Sequence, residues 1–254
     1  MRKAIVITGA SSGIGATLAR LLGSQGHRLV LAARSEAALQ QVAAESGEAQ
    51  AVVTDVTQRA DVERLRDTAI AAYGHVDVWI NNAGKGIARS VLDLSDADFD
   101  EMMTVNTKSA LYGIQAIVPH FQARGTGHLI NISSFLGKVP VASFRSAYSA
   151  SKAALNSLTA NLRMDLSATY PDIHVTLVLP GVVLTDFAKN AVGGGQPLPT
   201  LTGPMTPQTP EEVAAAIARV IEHPVAELYT NPAQHDLANR YVQDVAAFEG
   251  AMRP

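Results

Sequence analysis

Short apolar runs alternate along the 254-residue chain with longer segments whose apolar positions recur at helical spacing. The runs Ala4–Thr8, Arg28–Ala33, Gln50–Thr54, Val76–Ile80, His128–Ser133, His174–Leu179 and Glu227–Thr230 read as strands. Segments 13–25, 35–45, 59–73, 96–120, 148–169 and 211–222 read as helices. Strands so nearly continuous in Val, Ile, Leu and Ala are covered on both faces, which calls for a parallel sheet with helices on each side. A doubly wound α/β fold is therefore expected. The alternation breaks at 193–210, where Gly193, Gly194 and Gly195 precede five prolines between Pro197 and Pro210, so this stretch reads as a loop.

Composition narrows the picture without changing it. At 47% hydrophobic and 17% charged residues, the chain can bury one α/β core, and no compositional shift marks a second, so 1–254 reads as a single domain. A net charge of −3 with no Lys/Arg run leaves a nucleic-acid partner without electrostatic support. The absence of cysteine excludes disulfides, thiol nucleophiles and thiolate metal sites. The seven histidines are scattered singly, with no ligand-like pair, so no metal is required, and His120 and His174 read as surface or satisfied core residues. The N-terminal apolar run stops at a glycine turn, too short for a signal peptide or a membrane span, and a soluble, cytoplasmic protein working on small molecules is expected.

Candidate chemistry lies in the segment AYSASKAAL, where Tyr148 and Lys152 share one face of a predicted helix. A free tyrosine titrates near ~10, and bringing it to ~8 takes roughly 3 kcal/mol of preference for the anion. One positive charge at ~4 Å, with an effective dielectric of ~20, is worth about 4 kcal/mol. Lys152 is thus expected to lower the Tyr148 pKa and make an acid/base pair. At the chain's start, Thr8-Gly9-Ala10-Ser11-Ser12-Gly13-Ile14-Gly15 runs from a strand into a helix. Glycines there allow a tight turn and close backbone approach, and the helix N-terminus offers free N–H groups to a pyrophosphate.

The glycine spacing G-x-x-x-G-x-G, with Asn81-Asn82-Ala83-Gly84, Asn106, Ser134, Tyr148/Lys152 and Pro180-Gly181, resembles the short-chain dehydrogenase/reductases. The match runs in order from the first strand to about Thr185 and continues more coarsely to the end. The resemblance implies a Rossmann-type sheet, with 1–185 as coenzyme-binding and catalytic core and 186–210 as a substrate-binding loop. It implies that Tyr148 is the general acid/base and that Lys152 depresses its pKa and bonds the nicotinamide ribose. Ser134 would hold the substrate oxygen, with Ser133 as the competing serine, and Asn106 would support a water relay to Lys152. Taken alone, Ser134 could equally cap a turn and Asn106 bond backbone within its helix.

The coenzyme residues implied are Gly9, Ser11, Ser12, Gly13, Ile14 and Gly15 at the phosphates, and Asn82, Ala83 and Gly84 near the adenine ribose. Asp55 and Val56 would receive the adenine, although a lone Asp there could also cap a helix. Pro180, Val183 and Thr185 would meet the nicotinamide carboxamide, with Tyr148 and Lys152 at its ribose. The second strand ends in Ala33-Arg34, where a carboxylate would select NAD(H) and a guanidinium suits a 2′-phosphate, so NADP(H) is favoured over NAD(H). Glu36 belongs to the first turn of the next helix. Lys85 reads as a solvated loop charge. Phe187, Leu198, Leu201 and Met205, with Leu136 and Phe144, are candidates for an apolar pocket.

Hydride transfer between nicotinamide and a small-molecule carbonyl or secondary alcohol is the activity implied. A non-catalytic NADP-binding sensor or scaffold, and an epimerase or dehydratase of the same fold, are the rival readings. Members often form homodimers or homotetramers through the helices near 100–120 and 148–170, although Leu155, Leu158, Leu162 and Leu166 would be apolar for internal packing too.

Overall fold

The computed structural model describes residues 1–194 and 203–251. Its strands are β1 (Ala4–Thr8), β2 (Arg28–Ala33), β3 (Glu48–Val53), β4 (Val78–Asn81), β5 (Gly127–Ile132), β6 (Ile173–Leu179) and β7 (Glu227–Tyr229). They form one sheet in the order β3-β2-β1-β4-β5-β6-β7, every neighbouring pair parallel. The direction in which strands are added reverses between β1 and β4, as in a doubly wound fold.

Alternate residues of β1 explain the two layers. Ile5 and Ile7 face helices α1 (Gly13–Ser24), α2 (Glu36–Ala44) and α7 (Pro210–Glu222), whose Leu18, Leu22, Leu39, Val213 and Ile217 join them in one core. Val6 points the other way, towards α3 (Arg59–Tyr73), α5 (Ser109–Arg124) and α6 (Ser146–Ser167), among Leu65, Trp79, Ile117 and Phe121. Side chains pointing to opposite faces of each strand require exactly this double covering, and the strongly apolar β1 is buried along its whole length.

The expected bounds of β1, β2 and α3 coincide with those observed, and the other expected elements shift at their ends or, in one case, divide. The helix expected over 96–120 is broken into α4 (Asp96–Met103), a wide π turn (Thr104–Lys108) and α5. Polar side chains at the break face away from the helix's own backbone: Asn106 bonds Lys85, and Thr107 Oγ1 donates to the Ser151 carbonyl at 2.8 Å. Apolar periodicity does not register one extra residue in a turn. Strand β3, at the sheet edge, is only partly covered: Ala49 and Ala51 reach one core and Val52 the other, while Val53 stands exposed. Two helices were not expected, α8 (Ala233–Gln243) and α9 (Val245–Ala251); Ala238 and Phe248 from them pack with Phe135 and Val139. Among the described residues no helix is long and apolar enough to cross a membrane.

A buried polar chain crosses the sheet's centre. Trp79 Nε1 donates to Asn81 Oδ1 at 2.8 Å, Asn81 Nδ2 to Asn131 Oδ1 at 2.8 Å, and Asn131 Nδ2 to Thr159 Oγ1 at 2.9 Å. Gly113 of α5 lies against its first link: a Cβ there would overlap Asn81 Oδ1 and come 2.8 Å from Trp79 Nε1. Gly113→Ala should therefore cost about 1–3 kcal/mol, by overpacking in a region whose polar atoms cannot reach water. Urea unfolding should show a lower midpoint at unchanged slope; a loss below about 0.5 kcal/mol would mean that α5 shifts freely.

Candidate active site

The carboxyl ends of β1 and β4 are joined where the strand order reverses. Thr8 Oγ1 accepts from the backbone N–H of Asn82 at 3.0 Å and of Ala83 at 3.1 Å, while Asn82 Nδ2 donates to the carbonyls of Thr8 at 2.9 Å and Gly9 at 3.1 Å. Such contact leaves no room for side chains. A Cβ on Gly9 (φ 66°) would lie 2.8 Å from Ala83 Cα, and one on Gly15 would overlap the Gly9 carbonyl. Gly13 (φ 52°) opens α1, and a Cβ there would meet Thr185 Cγ2 at 3.3 Å. Ser12, the N-cap of α1, makes no side-chain cap bond, so it leaves the first-turn N–H groups of Gly13, Ile14 and Gly15 to another acceptor. Ser11, half-buried, completes the turn. A turn with no side chains on its glycines and free N–H groups at the positive end of a helix fits a pyrophosphate.

Across the sheet, Ser134 follows the end of β5 and Tyr148 stands in the first turn of α6. The Ser134 hydroxyl accepts from Leu136 N–H at 3.1 Å and is close enough to the Tyr148 phenol to oppose in part the rise in pKa that burial causes there. Ser133 is committed elsewhere, its hydroxyl 2.5 Å from Asn156 Oδ1, so the second serine of the pair is the one at the phenol. The Tyr148 ring meets Phe187 edge-on, centroids 5.7 Å apart.

The Lys152 ammonium donates to the Ile132 carbonyl at 2.9 Å and lies 5.9 Å from the centre of the Tyr148 ring. Burial lowers its pKa to about 8. Burial also raises the Tyr148 pKa, against opposing effects of Ser134 and of the Arg145 charge. The expectation that Lys152 lowers the phenol's pKa is corrected: in this state desolvation prevails, and the cation that acts on the phenol is Arg145. Lys152 is directed at a carbonyl and is itself poorly solvated, whereas a sequence argument assumes full charge at ~4 Å.

Asn106 belongs to the π turn. Its Oδ1 accepts from Lys85 N–H at 2.8 Å, and its Nδ2 donates to the Lys85 carbonyl at 2.9 Å and to Ser151 Oγ at 3.1 Å. It does not bond the backbone of its own helix. A Cβ on Gly84 would stand 3.1 Å from Asn106 Oδ1 and 3.6 Å from Lys152 Nζ, so these two side chains meet across the space that Gly84 leaves. Lys85 was expected to be a solvated charge; instead its ammonium pairs with Glu101 at 2.6 Å.

At the far end of the cleft, Ala33 is buried at the end of β2, and Arg34 follows, exposed and without an ion pair among the described residues. Glu36 opens α2. Asp55 Oδ1 accepts from Thr57 N–H at 2.9 Å and Thr57 Oγ1 at 2.8 Å, while Gln58 holds the N-cap position of α3; Asp55 therefore stiffens a turn, with Val56 half-buried beside it. The Pro180 carbonyl accepts from Phe135 N–H at 2.8 Å, tying the segment after β6 to that after β5. Val183 and Gln208 form a parallel bridge: Gln208 N–H donates to the Val182 carbonyl at 2.8 Å, and Leu184 N–H to the Gln208 carbonyl at 2.9 Å. The Gln208 side chain is held by Thr230, which donates to its Oε1 at 2.6 Å and accepts from its Nε2 at 3.1 Å.

Within 186–210, the first part folds back over the site. Ala88 N–H donates to the Val192 carbonyl at 2.8 Å and Val192 N–H to the Gly86 carbonyl at 3.0 Å, which brings Phe187 onto Tyr148. Met205 instead packs with the Phe135 and Val139 cluster. Leu198 and Leu201 lie outside the described residues. Sequence reasoning missed Arg145: buried, three residues before Tyr148, its Nη1 donating to the Ile87 carbonyl at 3.0 Å. The helical spacing that paired Tyr148 with Lys152 pairs it with Arg145 too.

Residues 3–194 match the profile of the family described as short chain dehydrogenase. A Bacillus subtilis protein named uncharacterized oxidoreductase YxnA is 36% identical over 230 residues, which cover 89% of this chain and 64% of that relative's length. A Burkholderia phymatum short chain dehydrogenase/reductase, solved in complex with NAD, is similar at TM-score 0.86 and 28% identity, covering 97% of this chain and 95% of that one. An alcohol dehydrogenase from Thermococcus sibiricus, solved with 5-hydroxy-NADP, is similar at TM-score 0.78 and 27% identity, covering 90% and 96%.

A Lys152 pKa near 8, far below that of a free lysine, has a sign for stability. The unfolded chain binds the proton more tightly than the folded one, so between about pH 8 and 10 this residue adds stability as pH rises. Lysine labelled at Cε should show one resonance with a midpoint near 8, absent in Lys152→Met. Titration of every lysine above pH ~9.5 would contradict the placement of Lys152.

Proposed function

This chain belongs to the short chain dehydrogenase family and is an oxidoreductase, and from that premise we propose that it moves hydride between NADP(H) and a small-molecule carbonyl or secondary alcohol, with Tyr148 as general acid/base. The observation that carries the reading is that Ser134 and the Tyr148 phenol are neighbours, with Lys152 one helical turn further on, at the same carboxyl end of the sheet as the uncapped start of α1. When bound, the nicotinamide supplies or takes the hydride. Gly9 to Gly15 would hold its pyrophosphate, Asn82, Ala83, Gly84, Asp55 and Val56 the adenosine, and Pro180, Val183, Thr185 and Lys152 the nicotinamide end.

The chain's own part is to handle charge and a proton on oxygen. A carbonyl that gains hydride develops an oxyanion, and Ser134 and Tyr148 present two hydroxyls that can donate to it. Because burial raises the Tyr148 pKa, the phenol holds its proton at neutral pH and is ready to give it up in the reducing direction. The phenolate left behind faces the Arg145 charge, with Lys152 beyond its ring. We assign to Asn106 the support of a water relay that reaches Lys152 across the gap at Gly84. Residues 1–185 form the coenzyme-binding and catalytic core in this reading, and 186–210 the substrate loop, of which 186–194 and 203–210 are described. Association into a homodimer or homotetramer belongs to the same proposal.

Tyr148→Phe keeps the ring against Phe187 and removes only the transferable proton. Turnover should fall at least a thousandfold while NADPH binding, read by fluorescence titration, stays within a few-fold. Residual activity within tenfold of the parent would remove Tyr148 from the mechanism.

In this reading Arg34, exposed beside the buried Ala33, binds a 2′-phosphate by charge-assisted hydrogen bonds, where Ala33 offers the diol of NADH nothing. Such a bond is worth about 1.5–3 kcal/mol, or roughly one to two orders of magnitude. Arg34→Ala should erase most of the NADPH preference in kcat/KM, and Ala33→Asp with Arg34→Ala should invert it. A parent ratio of NADPH to NADH below one would transfer the diol-binding role to Glu36.

A further inference from the structure

Arg145 is only 7% exposed, yet it forms no ion pair among the described residues. Among the described residues, three acids of the adjoining segments already have cations of their own: Glu101 pairs with Lys85, Asp98 with Arg89, and Asp186 with Lys189. Residues 195–202 contain no Asp or Glu. Of the five N–H donors on a guanidinium, one is used among the described residues, by Nη1 on the Ile87 carbonyl, and the group lies 5.3 Å from the Phe144 ring centre. A guanidinium stays charged at neutral pH, and a buried charge without a counter-ion costs several kcal/mol.

The position of this charge is informative. A Cβ on Gly86 would stand 2.9 Å from Phe187 Cε1 and 3.1 Å from Arg145 Nη1, so guanidinium and phenyl ring both close on Gly86, and the same phenyl ring meets Tyr148 edge-on. Lys152 approaches from the other side, at Gly84 and Asn106. The charges of Arg145 and Tyr148 act on one another, so a molecule whose carbonyl meets the phenol has the guanidinium as a neighbour. A single unmatched positive charge, presented as a planar fork, fits one carboxylate.

We propose that Arg145 is a substrate-binding residue that takes a carboxylate of the molecule being reduced or oxidised, so that the substrate class is an oxo acid and its hydroxy acid. The proposal rests on the oxidoreductase reading above and narrows it. In reduction the carbonyl carbon gains the hydride, its oxygen gains the Tyr148 proton, and the carboxylate leaves unchanged.

The test uses the whole chain with NADPH and NADH, and a panel of 2-, 3- and 4-oxo acids, the methyl ester of each, and simple ketones. At least one acid should exceed its own ester in kcat/KM by roughly ten- to a hundredfold, the range of a charge-assisted hydrogen bond. Arg145→Gln should abolish that ratio mainly through KM, and Arg145→Lys, which keeps charge but not the fork, should retain part of it. If Arg145→Gln does not fold, the parent and Arg145→Lys ratios decide alone. Esters or ketones turned over as well as every acid, with Tyr148 still required, would overturn the inference and leave the oxidoreductase standing. Equal losses on acid and ester in Arg145→Gln, with a displaced pH profile, would also overturn it and confine Arg145 to the phenol. No turnover of any compound with either coenzyme would refute the broader reading, and this one with it.

Discussion

The contact between the Thr8–Gly9 backbone and the Asn82–Ala83 backbone is the constraint from which the rest of the site follows. Neighbouring parallel strands diverge where their ladder ends, and here a threonine hydroxyl and an asparagine amide hold the ends of β1 and β4 together beyond it. The hydrogen bonds need their backbones within van der Waals contact, so Gly9 and Gly15 admit no side chain. The same closeness directs α1 at the opening and carries the chain into Gly84, where Asn106 and Lys152 converge. The glycine turn before α1 and the side chains around Gly84 are thus two ends of one hydrogen-bonded strap.

Desolvation governs the electrostatics on the other side of the cleft. Tyr148 and Lys152 are both pushed towards their neutral forms, the phenol upward and the ammonium downward. A polar substrate or coenzyme that replaces the missing solvent would move both groups back towards their charged forms, since desolvation is what holds them from it. Arg145 adds a fixed charge to this balance, and its burial makes that charge long-ranged compared with one in water.

Much of this was legible in the sequence because the determining features are local. The apolar runs of β1 and β2 specify buried parallel strands, and the glycines of 9–15 record a backbone approach that is a necessity of packing. The Tyr148 and Lys152 pair follows from helical periodicity alone. What escaped was non-local. The π turn at Asn106 exists because a side chain reaches Lys85, a partner 21 residues away. Lys85 finds Glu101 only once α4 is in place, and the sheet-edge exposure of β3 depends on strand order, not on its own residues. Helices α8 and α9 are short and pack on side chains far away in sequence, so their own patterns carry little signal. The state of Tyr148 was misread because sequence gives the spacing of charges but not their solvation.

Gln208 closes the root of the segment that follows β6. Its backbone joins Val182 and Leu184, and its side chain is clasped by Thr230, so the chain leaves the sheet and returns to it at one fixed point. Once two ends are held together, loop entropy grows only with the logarithm of length, about 0.6 kcal/mol for each doubling. The stretch between can then be lengthened, shortened or rewritten with little cost to the sheet beneath it. Thermodynamically, Gln208 makes the segment between a replaceable part: it can change by insertion and deletion while the junction of β1, β4 and α1, on the other side of that fastening, keeps its shape.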